Sequence, residues 1–315
     1  VTQSQAKIVN KRLKSRFFGY LFMSFSVYLK AALLFALLTA FLLLVGFIVG
    51  YYVLGAPILS VLVFMLAISV IMNAVSYFYG PKMILTLSGA RLVSPNELPR
   101  VYSILEEVSR SAGIPTPKLG VSNQPQPNAF TTGRSKKDSV VVVTSGLLKV
   151  MDENELRGVL AHEVGHIVHR DVAIATLAST LATAITYMAD IVFFSLLFGG
   201  GSRREGNGAA GLFAVIFAPF AASMVQLALS RSREYYADEE SAKLTQRPDY
   251  LVSALRKIEE YIRRGVPLNA PSSTSALWIS NPFRGAMSDL FSTHPATEKR
   301  IKRLIELSRK MGYYF

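Results

Sequence analysis

Hydrocarbon dominates the first quarter of the chain. Residues Ala31 to Val53 contain no charged side chain, and at about 1.5 Å per helical residue such a run covers the roughly 30 Å apolar layer of a bilayer. Ile58 to Tyr79 repeats the pattern after a Leu-Gly-Ala-Pro connection. A pair of buried core helices would carry polar stripes on their outer faces. Neither run has one, so the pattern predicts a transmembrane hairpin over 31–53 and 58–79, too long and too far from residue 1 for a cleaved signal. Two later runs are less pure: 172–198 is rich in Ala, Thr and Ser and contains Asp190, and 212–229 contains Pro219 and Gln226. Small and hydroxylated residues are what helices use to pack against one another in lipid. Both runs are predicted to span, which gives four spans.

Charge then orients the chain. Of the 34 Lys and Arg, six lie in residues 1–30, eleven in 80–171 and fifteen in 230–315, whereas the segment 199–211 has two and the turn at 54–57 none. Basic loops stay in the cytoplasm. Residues 1–30 read as a basic interfacial segment, and 80–171 with 230–315 as one cytoplasmic domain interrupted by the pair of spans at 172–229. The net charge of +13 is placed where anionic headgroups attract it. No recognisable nucleic-acid-binding motif accompanies it, so nucleic acid is not an expected partner.

Within the domain, Glu97 to Ala112 has helical periodicity, Lys118 to Ser122 reads as a short strand, and Ser139 to Thr144 carries four consecutive valines. That β-branched run is a strand, paired with Ala129 to Thr132 across a loop containing Gly133 and Asp138. Asp152 followed by Glu155 is a helix-start signal, and the helix runs through at least His169. Pro295, at a first-turn position, opens a final amphipathic helix.

The chemistry sits on the helix that begins near Asp152. It carries His162-Glu163-Val164-Gly165-His166. Histidines four apart project from one helical face, so their imidazoles can share one metal ion while Glu163 reaches a water on it. With only 4 His in the chain, chance produces this pattern in roughly two of a thousand such chains. There is no cysteine, so a metal has only His and carboxylates to hold it, and a thiol nucleophile is excluded. Two imidazoles leave a hydrolytic zinc one protein ligand short. In Ser230-Arg231-Ser232-Arg233-Glu234-Tyr235-Tyr236-Ala237-Asp238, Glu234 and Asp238 are i and i+4 on a helix. One carboxylate can then reach the metal and the other the free N–H of a ligand histidine. Spacing alone does not choose this over an ordinary salt-bridged face with Arg231.

The run His162 to Asp171 taken with Ser230 to Asp238 resembles the HtpX-type membrane zinc metallopeptidases, relatives of the CAAX prenyl protease. Asn128-Ala129-Phe130 followed by Gly133, and Ser292-Thr293-His294-Pro295 with Arg300-Ile301, extend the likeness over nearly the whole chain. Four spans fit the HtpX branch better than the prenyl protease, which has more. The resemblance implies an α-helical multi-pass membrane protein carrying a cytoplasmic, zincin-like α+β metalloprotease domain. It implies one zinc ion per chain on His162, His166 and Glu234, with Glu163 as the base that takes a proton from water and returns it to the departing amine. Asp238, Asp171 and Arg231 are placed around the ligands, Asp171 to orient a neighbour or to cap a helix rather than to bind. His294 is either a donor to the tetrahedral intermediate or a cap on the last helix. An extended substrate can add as a strand to a sheet edge, and that edge is expected at Val140, Val141 and Val142 or at their partner Asn128, Ala129 and Phe130; a wholly internal valine strand is the alternative. The metal-bearing helices adjoin predicted spans, so the substrates implied are membrane proteins, particularly misfolded ones, cut at the cytoplasmic face. Prenyl-peptide processing and a zinc-stabilised scaffold without catalysis are the competing functions.

Overall fold

The computed structural model describes residues 28–47, 51, 55–198, 219–221, 223–225, 228–283 and 294–313, with side chains described in all of these except 188–198. The predicted basic segment at 1–30 and the predicted span at 212–229 lie largely outside them, as do the loop at 199–211 and the Asp190 side chain.

Helix α1 (Tyr28–Gly46) and helix α2 (Ile58–Leu87) are, among the described residues, the two helices long and apolar enough to cross a membrane. Leu59, Phe64, Val70, Ile71 and Phe78 on α2 are each at least 60% exposed. An apolar surface of that kind is what a lipid-facing helix presents. Between the two helices the contact is polar: Ser69 Oγ donates to Thr39 Oγ1 at 3.1 Å and Asn73 Nδ2 to the Phe35 carbonyl at 3.4 Å. Hydroxyl and amide groups hold helices together where lipid offers no hydrophobic drive. The second helix is longer than the sequence pattern suggests. It continues through Pro81 to Leu87, and its 30 residues extend about 45 Å, beyond the hydrocarbon and into the polar domain.

Helix α6 (Val172–Phe198) coincides with the third predicted span. Its side chains from Val172 to Leu181 are mostly buried, several against the sheet. Gly80 of α2 lies so close to it that a Cβ there would stand 3.0 Å from Thr180 Oγ1.

The polar domain is built on a four-stranded sheet, β1 (Ala90–Leu92), β2 (Lys118–Ser122), β3 (Ala129–Ser135) and β4 (Asp138–Thr144), in the order β1-β2-β4-β3. Strand β4 runs parallel to β2 and antiparallel to β3, with Phe130 opposite Val142. Alternate side chains of a strand face opposite sides, which explains four valines in a row. Val141 and Val143 pack under α3 (Pro99–Ser111) and α5 (Glu153–His169), while Val140 and Val142 face Ile174 of α6 and Trp278. Because β4 has a neighbour on each side, Val140, Val141 and Val142 have no free backbone edge, and the expectation of a substrate strand adding there gives way to the alternative of an internal valine strand.

After a short α4 (Ser145–Val150), Asp152 and Glu155 close a reciprocal capping box at the start of α5. Helix α5 ends at Arg170, which adopts the left-handed conformation at φ 60°, and α6 starts two residues later. Helix α7 (Ser232–Thr245), α8 (Pro248–Arg263), a 3-10 turn at Ser272–Leu277 and α9 (Thr297–Lys310) complete the domain. The last helix begins two residues after Pro295, with Ala296 as its cap, rather than on the proline.

Glycines let α5 approach its neighbours closely. A Cβ on Gly158 would lie 2.7 Å from the Leu251 backbone nitrogen, and one on Gly165 would lie 3.1 Å from Ala237 Cα. Gly158→Ala is therefore expected to destabilise the domain by about 1–3 kcal/mol, the usual cost of overpacking. Thermal unfolding followed by fluorescence of Trp278, the single tryptophan, checks this, and an unchanged midpoint would contradict the close approach.

Candidate active site and metal centre

Helix α5 presents His162 and His166 on one face a turn apart, and α7 brings Glu234 to them from its first turn. The Nε2 atoms of the histidines are 3.2 Å apart; Glu234 Oε2 lies 3.6 Å from His162 Nε2, and Oε1 lies 3.7 Å from His166 Nε2. Ligand atoms about 2.0–2.1 Å from a tetrahedral zinc stand about 3.3 Å from one another. The three separations have that size.

The histidine tautomers are set from behind. His162 Nδ1 is 3.0 Å from Asp238 Oδ1, and His166 Nδ1 is 3.0 Å from Asp171 Oδ2. A ring that donates Nδ1–H to a carboxylate presents its Nε2 lone pair on the other side. Both lone pairs then point at the same place.

Burial makes the arrangement expensive without a cation. His162, Glu163 and Glu234 have no exposed surface, and neither oxygen of Glu234 has a hydrogen-bond partner among the described residues, nor has Glu163 Oε1. Burial alone would raise the Glu234 pKa; His294, Arg233 and His166 overcome it and hold the carboxyl well below its ordinary range. Burial likewise opposes charge on His162, yet the carboxylates of Asp238 and Glu234 push its pKa up to about 9. Groups that favour a proton there favour a divalent ion in its place. The residues fit a metal.

Glu163 stands beside this cluster. Its Oε2 accepts from Thr131 Oγ1 at 2.7 Å, and burial raises its pKa above the usual carboxylate value. It is thus a held carboxylate with one oxygen free.

Residues 95–308, which contain every group just described, match the model of Peptidase family M48. The chain belongs to peptidase family M48. It is a membrane metalloprotease of that family. A Protease HtpX homolog of Aquifex aeolicus is 47% identical over 255 residues, covering 78% of this chain and 84% of the relative. Another from Pyrococcus furiosus is 42% identical over 296 residues, 93% of this chain and 100% of the relative. Among solved structures, the crystal structure of S. mikatae Ste24p aligns over 94% of this chain and 66% of its own at 17% identity, with a TM-score of 0.45.

Some parts of the M48 site differ from the sequence reading. Arg231 is exposed at the start of α7 and makes no hydrogen bond or ion pair to the cluster among the described residues. Its place is filled by Arg233, which bonds the Ala276 carbonyl and lies 3.2 Å from Glu234 Oε1, and by Arg300 of α9. Arg300 is 1% exposed and grips Asp238 with two bonds, Nε to Oδ2 at 2.9 Å and Nη2 to Oδ1 at 2.7 Å. Both arginines lie in the runs that carry the family likeness, but the likeness assigns neither a role at the ligands, and Thr131 has no motif spacing that would reveal it. His169 faces Glu240 at 3.6 Å, away from the cluster.

His294 reaches the site, with Nδ1 3.5 Å from Glu234 Oε2. Its Nε2 is 3.2 Å from the Ser275 carbonyl, which can only accept. Burial lowers its pKa. An N–H on Nε2 that is given to Ser275 is not available to an oxyanion, so donation from Nε2 requires it to release Ser275 first.

Strand β3 is the free side of the sheet, and part of it is covered. Ile279 N–H donates to the Ala129 carbonyl at 2.8 Å, Phe130 bridges Trp278, and the Asn128 side chain is engaged with Ser280 and Gln126.

Asp238→Asn is expected to weaken zinc binding about 10–100-fold, whereas Arg231→Ala retains wild-type affinity. Competition with a fluorescent zinc chelator checks both, and equal effects would contradict the correction from Arg231 to Arg300.

Proposed function

We propose that this chain is a zinc endopeptidase that hydrolyses peptide bonds in loops and tails of membrane proteins, misfolded ones included, at the cytoplasmic face. The observation that carries the reading is the meeting of two Nε2 lone pairs and a bare Glu234 carboxylate beside the free oxygen of Glu163. A purely structural metal site closes all its positions with protein ligands. Here three protein ligands stand beside a held carboxylate, which favours catalysis over a silent scaffold.

His162, His166 and Glu234 would hold zinc, which when bound acidifies water and polarises the scissile carbonyl. Glu163 Oε1 is placed to take the water's proton and deliver it to the departing amine, since its other oxygen is fixed by Thr131. A base whose pKa is raised toward neutrality both accepts and returns a proton readily. Arg300, through Asp238, keeps the His162 ring turned toward the ion. Extended substrate would lie along β3 at Asn128, Ala129 and Phe130, where its main chain takes the position that Ile279 occupies on the Ala129 carbonyl. His294, freed from Ser275 in that exchange, then becomes available as a donor.

The cytoplasmic location rests on the distribution of Lys and Arg between segments. Nearness to the membrane rests on α6, which starts six residues after His166. Full crossing by 172–198 and 212–229 belongs to the same proposal.

Glu163→Gln is expected to lower casein cleavage about 10²–10⁴-fold, the usual worth of a general base, while zinc content by elemental analysis stays at the wild-type level. Cleavage at the wild-type rate would remove Glu163 from the mechanism. A polypeptide tethered to the membrane should be cut faster than the same polypeptide in solution, and equal rates would refute membrane-directed selection.

A further inference from the structure

A cavity that none of the metal-cluster residues lines lies where α1, α2, the β3–β4 turn and the start of α6 meet. Its volume is about 480 Å³, within the range of small-ligand sites. One wall is apolar and belongs to the membrane helices: Ala31 of α1, Tyr77 and Pro81 of α2, and Ile174 and Leu177 of α6. The opposite wall is cationic, with Arg134, Lys136 and Lys137 on the β3–β4 turn and Arg170 at the end of α5.

Arg134, Lys136 and Arg170 each have an interaction within the protein. Asp138 pairs with Arg134 at 2.9 Å. Glu240, the carboxylate that acts on Lys136, is shared with His169 and Lys243, each at 3.6 Å. Burial and the Arg170 charge both disfavour the Lys136 ammonium and lower its pKa. Three of these side chains come from a tight turn that has no such role in the metal site.

We propose that this cavity binds an anionic phospholipid, its phosphate among Lys136, Lys137 and Arg170 and the start of an acyl chain against Ala31, Tyr77, Ile174 and Leu177. The phosphate chemistry alone would also suit a free inorganic ion. The apolar wall decides for the lipid, because it is continuous with α1 and α2, whose outer surfaces face hydrocarbon. Small amphiphiles of opposite or no charge match only one wall each. Arg170 is joined directly to Asp171, which holds His166, so a bound headgroup would sit beside the link between the membrane helices and the metal-bearing helix. The binding itself does not depend on proteolysis and is tested without it.

The full chain is purified in detergent, exchanged into bicelles of phosphatidylcholine with or without phosphatidylglycerol, and returned to detergent before native mass spectrometry. Wild type should retain one phosphatidylglycerol per chain in preference to phosphatidylcholine. Lys136→Glu with Lys137→Glu should lower that retention by about tenfold or more, and Ala173→Trp, which fills the cavity from α6, should abolish it. Lys302→Glu with Lys310→Glu makes the same change of charge on α9, away from the cavity, and should retain the lipid. Trp278 fluorescence reports whether each variant is folded. Equal retention of the two lipids by wild type would overturn the proposal, as would retention that survives in the folded cavity variants. Displacement of the lipid by millimolar inorganic phosphate would overturn it in favour of a free-anion site.

Discussion

A fully buried carboxylate without a hydrogen bond is the constraint around which the polar domain is arranged. Glu234 has been taken out of water, and the cost of leaving such a charge alone in a protein interior is several kcal/mol or more. Cationic or potentially cationic groups surround it from separate elements: His162 and His166 from α5, Arg233 from its own helix, Arg300 from α9, and His294 from the segment before α9. None of them makes a hydrogen bond to it, and all stand between 3.2 and 3.7 Å away. A divalent ion at the Nε2 atoms would supply the missing partner. Folding and metal binding would then be two aspects of one electrostatic requirement, which is the usual coupling in metal sites.

The same requirement ties the chemistry to the membrane. Helix α5 carries both imidazoles and hands the chain to α6 through the Arg170 cap and Asp171, with Asp171 bonded back to His166. Strand β3 touches Glu163 through Thr131 and α6 through the bond from Gly133 N–H to Thr176 Oγ1 at 3.2 Å. A displacement of α6 therefore reaches Glu163 and His166 by short, packed routes. The segment Ser273–Ser280, held by Arg233, Arg300 and Asn128, lies against β3 through Trp278 and Ile279.

What the sequence makes legible here is local. The histidine pair follows from helical periodicity, the start of α5 from a capping box within four residues, and β4 from β-branched composition. The zincin-like α+β character of the domain is what the family resemblance implies. The order of the sheet is not local, since β4 inserts between β2 and β3 and its parallel partner lies some twenty residues upstream; hence two readings of the valine strand stay open until the register is known. Arg231 and Arg233 differ by two positions on a helix, which is opposite faces, and only the packing of α7 on α5 decides which of them turns inward. Arg300 comes from 62 residues beyond Asp238, and no spacing rule reaches that far. Pro81 marks a helix end by its chemistry, yet α2 continues through it.

The central claim is that two imidazoles and the Glu234 carboxylate share one zinc ion, and zinc K-edge X-ray absorption of the purified full chain tests it most directly. The account predicts two imidazole nitrogens and carboxylate or water oxygen at about 2.0–2.1 Å, with the oxygen shell altered and both imidazoles retained in any metal still bound to Glu234→Gln. A single imidazole in the wild-type spectrum, or a spectrum identical in Glu234→Gln, would contradict it.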